Sequence, residues 1–138
     1  MDLRVGSVTA TEKIRVLIVD DAEQVRQALI SFISLVDDIE VIGEAVNGRE
    51  GVNKALELEP DIIIMDENMP VLNGLEASSM IKKSKSNSKI IMLTNYEEFE
   101  SEAYKQGVIA YILKGTKLSI LINCIRRVAR DEIDLESI

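Results

Sequence analysis

Five short apolar runs, each followed by residues at helical spacing, limit what this chain can fold into more than any other feature. The runs are Ile14–Val19, Val41–Ala45, Ile62–Met65, Ile90–Thr94 and Ala110–Leu113. They show little polar alternation, which is the pattern of strands covered on both faces. After the first run, Val25, Ala28, Leu29, Phe32, Ile33 and Val36 recur on one helical stripe that starts near Ala22. Asn47-Gly48 opens a second helix with its apolar side at Val52, Ala55, Leu56 and Leu58, and Pro60 stops it. A third helix is expected from about Leu75 to Lys83. A fourth, polar and acidic, runs from Glu97 to Gln106 and is closed by Gly107. Leu118, Leu121, Ile122, Ile125, Val128 and Ala129 define a strongly amphipathic last helix. Strand and helix alternating at this pitch predict a parallel sheet with helices on both faces. Right-handed crossovers and five strands have a common solution, the flavodoxin-like doubly wound order 2-1-3-4-5. The expected fold is therefore α/β, with five strands and five helices.

The 138 residues suit one domain. It is expected over 13–130, after a flexible leader at 1–12 and before a polar tail at 131–138. Aromatics make up only 4% of the chain, so the core must be aliphatic. A net charge of −8 opposes docking on nucleic acid or an anionic membrane. The basic stretch Lys82–Lys89 reads as a solvated loop, and the tail is too short and too acidic to read DNA. No histidine is present, which removes the usual general base and the usual zinc ligand. Cys124 is the sole cysteine, so no intrachain disulfide can form; it reads as a buried or half-buried helix residue. With no signal-type segment and no run long enough to span a bilayer, the expected location is the cytoplasm.

Chemistry concentrates at the ends of the apolar runs. Asp20-Asp21 follows the first, Asp66 the third and Lys114 the fifth, while Thr94 ends the fourth. Singly, each is an ordinary strand-end or turn residue. In the order 2-1-3-4-5, strands 1 and 3 are neighbours, so the three carboxylates meet at the carboxyl edge where open α/β sheets place their sites. Clustered carboxylates repel unless a cation or proton joins them, which argues for a divalent metal held by oxygen ligands, with magnesium the natural choice. Asp66 can attack phosphorus to give an acyl phosphate. The Thr94 hydroxyl can donate to one phosphoryl oxygen and the Lys114 ammonium can balance another.

These residues, in this order, resemble the receiver domain of two-component response regulators. The likeness rests on Asp20-Asp21, on Asp66 with the loop Glu67-Asn68-Met69-Pro70-Val71-Leu72-Asn73-Gly74, on Thr94, and on Tyr111 three residues before Lys114. It covers about residues 14–130. The resemblance implies that Asp66 is the phosphoacceptor, and that Asp20, Asp21, Asp66 and the backbone carbonyl of Asn68 hold Mg2+, with Mn2+ a substitute. It implies that Thr94 and Lys114 bind the phosphoryl group, and that Thr94 and Tyr111 form the switch. The donor would be a histidine kinase or phosphotransfer protein, and phosphorylation could drive homodimerisation. Output would be transcription through a domain outside this chain, or protein contacts of a stand-alone or unphosphorylated receiver.

Two departures stand out. Gly115 follows Lys114 where many relatives carry a cis proline, so a trans peptide or a rearranged loop is expected. That feature is similar to the nitrate- and quorum-sensing branch of DNA-binding regulators. Asn95 follows Thr94 where many relatives have a smaller residue, and its bulk could hinder attacking water. Two other classes compete. An aspartyl phosphatase of the haloacid-dehalogenase type needs a second acid two residues after its nucleophile, where this chain has Asn68. A flavin or nucleotide site needs small residues and free amides after the first strand, where Asp20-Asp21-Ala22-Glu23 repels phosphate.

Overall fold

The computed structural model describes residues 12–132. The expected leader, apart from Glu12, and the expected tail beyond Glu132 lie outside the described residues. Ten elements alternate: β1 (Ile14–Val19), α1 (Glu23–Ile33), β2 (Ile39–Ala45), α2 (Gly48–Leu58), β3 (Ile62–Met65), α3 (Gly74–Lys83), β4 (Lys89–Thr94), α4 (Glu100–Lys105), β5 (Ala110–Leu113) and α5 (Leu118–Ala129). The strands form one parallel sheet in the order β2-β1-β3-β4-β5. This is the doubly wound arrangement that the alternation predicts.

The pleat divides the apolar residues between two cores. Leu17, Val19, Ile63, Met65, Ile90 and Met92 face α2, α3 and α4. Val16, Ile18, Ile62, Ile64, Ile91 and Leu93 face α1 and α5. The four residues of β3 are all buried, which is why the central strand is an unbroken apolar run. At about 25 cal/mol per Å² of apolar surface, such strands supply the main drive to fold.

Local chemistry sets the helix ends. The Asn47 side chain accepts from the Glu50 amide and starts α2, while Glu59 takes a left-handed conformation (φ 49°) just before Pro60. Asn73 and Glu76 form a reciprocal capping box at the start of α3. The structure corrects several boundaries. The acidic helix expected over 97–106 is only Glu100–Lys105, because Glu97 to Phe99 form a turn before it. Strand β2 starts at Ile39, and β4 at Lys89. The basic stretch is not one loop: Lys82 and Lys83 end α3, and Lys89 begins β4. Ala28 and Leu56, expected on apolar faces, are exposed, since each sits at the margin of a narrower buried stripe. Cys124 is half-buried.

Register brings the strand ends level. Val19 pairs with Met65, Met65 with Met92, and Thr94 with Leu113. The residues that immediately follow β1, β3 and β5 therefore stand together at one edge.

Candidate functional site: a carboxylate cluster at the sheet edge

Asp20 and Asp66 leave their strands under backbone control. The Asp20 amide donates to the Ala45 carbonyl (3.0 Å) and the Asp66 amide to the Val19 carbonyl (2.9 Å). Carboxylate oxygens of Asp20, Asp21 and Asp66 all lie within 4.8 Å of one another. Asp20 and Asp66 are only 3% and 5% exposed, whereas Asp21 is exposed. Lys114 Nζ reaches in from the end of β5, 2.8 Å from Asp20 Oδ2 and 3.5 Å from Asp66 Oδ2. Asp20 Oδ1 accepts from the Ala22 amide at 2.9 Å.

One lysine does not balance three acids. Burial, then the neighbouring Asp20 charge, push the Asp66 carboxyl up to about 6 against the pull of Lys114. Glu67, buried beside it, is also raised, by burial first and then by the charges of Asp66, Glu76 and Glu98. Burial works to lower Lys114, but its hydrogen bond to Asp20 and the charge of Asp66 hold it above its ordinary range. This excess negative charge, on hard oxygen donors around one small space, suits a divalent cation.

Thr94 ends β4 fully buried, and its Oγ1 has no hydrogen-bond partner among the described residues. A buried orphan hydroxyl costs free energy, about 1–3 kcal/mol, unless a ligand oxygen completes it. Its carbonyl accepts the Lys114 amide at 2.8 Å, so the hydroxyl and the ammonium are carried on adjoining backbone. Tyr111 is buried with its ring turned inward, and its hydroxyl donates to the Tyr96 carbonyl. Burial, followed by the charge of Glu67, raises that phenol to about 12. Asn68 is exposed two residues beyond Asp66, on the same loop. The Lys114–Gly115 peptide is trans. Gly115 has φ +97°, which glycine adopts without penalty, and Thr116 turns back to the Leu113 carbonyl.

The loop after Asp66 is tightly bent. The Leu72 amide donates to the Pro70 carbonyl (2.8 Å), with Val71 between them at φ 71°. That is a three-residue turn of the strained, positive-φ kind, held by a β-branched residue. The Gly74 amide then donates to the Glu67 carbonyl. A Cβ on Gly74 would stand 2.1 Å from the Asp66 carbonyl oxygen, so only glycine lets the loop close against the strand end.

Comparison with known proteins shows which family carries such a site. The profile of the response regulator receiver domain matches residues 16–126. The chain belongs to the response regulator receiver domain family. It is similar to the response regulator protein VraR of Staphylococcus saprophyticus, at 42% identity over 90% of this chain and 60% of that protein. It is equally similar to the transcriptional regulatory protein LiaR of Bacillus subtilis, at 42% identity over the same shares. Among solved structures, the response regulator domain of Thermotoga maritima CheB superposes with a TM-score of 0.81 at 35% identity, over 89% of this chain and 99% of that one. A LuxR-family DNA-binding response regulator from Staphylococcus aureus gives 0.80 at 30%, over 84% and 98%. VraR, LiaR and the LuxR-family regulator agree with the nitrate- and quorum-sensing branch suggested by Lys114-Gly115. The chain spans about 60% of the length of the curated relatives it matches. Receiver domains are signalling modules, so the family sets aside the phosphatase and flavin-site alternatives.

Sequence reasoning missed Arg26 and Glu67. Arg26 looks like an ordinary surface arginine on α1, and Glu67 like a loop acid. Only the folded chain brings the first onto the Asp20 backbone and buries the second.

Proposed function

We propose that this receiver accepts a phosphoryl group from a histidine kinase, or from a phosphotransfer protein, onto Asp66. The observation that carries the reading is the convergence of Asp20, Asp21 and Asp66 within 4.8 Å, with the Lys114 ammonium against two of them. In the reaction, an Asp66 carboxylate oxygen forms a bond to phosphorus while the P–N bond of the donor phosphohistidine breaks. The imidazole leaves and regains a proton. Asp20, Asp21, Asp66 and the Asn68 carbonyl would hold Mg2+ or Mn2+, whose charge offsets the carboxylate repulsion and screens the phosphoryl oxygens. Lys114 gives up part of its contact with Asp66 to meet a phosphoryl oxygen. The orphan Thr94 hydroxyl donates to another, which satisfies a group that is otherwise buried without a partner. Alignment and charge are most of what phosphoryl transfer requires.

Thr94 and Tyr111 form the switch. Movement of the Thr94 hydroxyl toward phosphate favours the inward Tyr111 ring, so the phosphoryl group acts as a ligand that shifts a two-state population. The surface of α4, β5 and α5 then changes its preference for partners, which include a second copy of the chain. The receiver unit spans residues 13–130 and works in the cytoplasm; among the described residues no helix is long and apolar enough to cross a membrane. Output is control of transcription, as the name of LiaR states for that protein. The receiver also assists its own dephosphorylation.

Incubation with MgCl2 and a small phosphodonor, read by intact mass, tests the reading. One added phosphoryl on the wild type and none on Asp66→Asn is expected. No addition at high donor concentration overturns it.

A further inference from the structure

We propose that Arg26 is a positioning residue for the acid pair, acting through the backbone of Asp20 and itself held by Glu44. The inference rests on reading Asp20, Asp21 and Asp66 as a divalent-cation site. Arg26 lies in the first turn of α1 with its side chain only 12% exposed. Its Nε donates to Glu44 Oε1 at 2.9 Å, and a terminal nitrogen donates to the Asp20 carbonyl at 2.8 Å. Glu44 stands on β2 beside Ala45, the residue whose carbonyl takes the Asp20 amide. Both backbone groups of Asp20 are thus fixed from the β2 side, one directly and one through an Arg–Glu pair. Lys54 of α2 donates to the Glu44 carbonyl and ties that strand end down further.

This matters because Asp20-Asp21 sits on the short turn between β1 and α1, and Ala22 gives α1 no side-chain cap. The guanidinium fork has the right shape to hold that turn, since one edge engages a carboxylate and the other a carbonyl in a fixed plane. Partners that orient metal ligands commonly change metal affinity 10- to 100-fold when removed. A bystander cation would act in the opposite direction. Removing a nearby positive charge, with no loss of geometry, would tighten cation binding at an acidic site. The sign of the change therefore separates positioning from simple electrostatics.

The test titrates the full chain with MgCl2 by calorimetry at pH 7.5, for the wild type and for Arg26→Ala, Arg26→Lys, Glu44→Gln and Arg126→Ala. Amide exchange at Asp21 and Ala22 is followed in parallel in EDTA. The expected result is about tenfold weaker Mg2+ binding in Arg26→Ala with faster exchange at Ala22. Arg26→Lys should recover part of the affinity, since a lysine can still donate to the Asp20 carbonyl. Glu44→Gln should weaken binding less than Arg26→Ala, and it carries the test if Arg26→Ala does not fold. Arg126→Ala removes a similar surface pair, with Asp38, and should leave binding unchanged. Arg26 and Glu44 variants that bind Mg2+ as tightly as the wild type, or more tightly, with unchanged exchange, overturn this inference alone. A wild type that binds no Mg2+ overturns the cation-site reading and this inference with it.

Discussion

Replacing Asp66 by Asn should stabilise the metal-free protein. Asp66 is 5% exposed, shares its space with the Asp20 carboxylate, and titrates at about 6 rather than 3.8. The folded state therefore holds a proton on this group that the unfolded chain has released, throughout the interval between about pH 4 and pH 6. Folding stability falls as pH rises through that interval and the loss is complete above it. A shift of about two units corresponds to about 3 kcal/mol at neutral pH. Asn keeps the shape and removes the charge, so Asp66→Asn should gain most of that amount at pH 7.5. For a domain of this size the gain is roughly 10 °C in Tm. Urea unfolding of both proteins in EDTA at pH 4 and pH 7.5 measures it. The two should be alike at pH 4 and separate at pH 7.5, and adding MgCl2 should narrow the gap by stabilising the wild type alone. Equal stability at both pH values without metal would refute the argument that burial, together with the Asp20 charge, makes the ionised Asp66 carboxylate costly.

Other consequences are as direct. Val71→Gly should stabilise the protein by about 1 kcal/mol in urea unfolding, because a β-branched residue at φ 71° carries strain that glycine does not; a loss of stability would show that the turn is relaxed. Gly74→Ala should cost about 3 kcal/mol and slow phosphoryl uptake, since its Cβ would force the Asp66 carbonyl aside; unchanged uptake would separate the loop from the site. Asn95→Ala should lose its phosphoryl group faster than the wild type, by opening a path for water, and equal dephosphorylation rates would remove that role.

Much of this protein can be read before it folds. The apolar run Ile62–Met65 announces a strand buried on both faces, and the alternation of such runs with amphipathic stripes leaves few topologies open. Once strands 1 and 3 are neighbours, Asp20, Asp21 and Asp66 must meet, whatever the details of packing. The short-range capping signal at Asn47 is legible for the same reason, since it acts on an amide three residues away. The acidic stretch at 97–106 reads as a longer helix than the one that forms, because charge content says little about where a helix begins; Phe99 and Tyr104 pack against the core and set its position.

What no linear pattern could decide was how the cluster is held and tuned. That Asp66 is raised while Lys114 stays charged depends on burial and on distances of 2.8 and 3.5 Å. That the Thr94 hydroxyl is an orphan depends on which atoms surround it. Arg26 and Glu44 join only because α1 lies across the end of β2. Residue types and their order determine strands, helices and the edge where charge collects, since those follow from local periodicity and chain connectivity. Electrostatic balance and orientation depend on inverse distance and solvent exclusion between residues remote in sequence, and these exist only once the chain has packed.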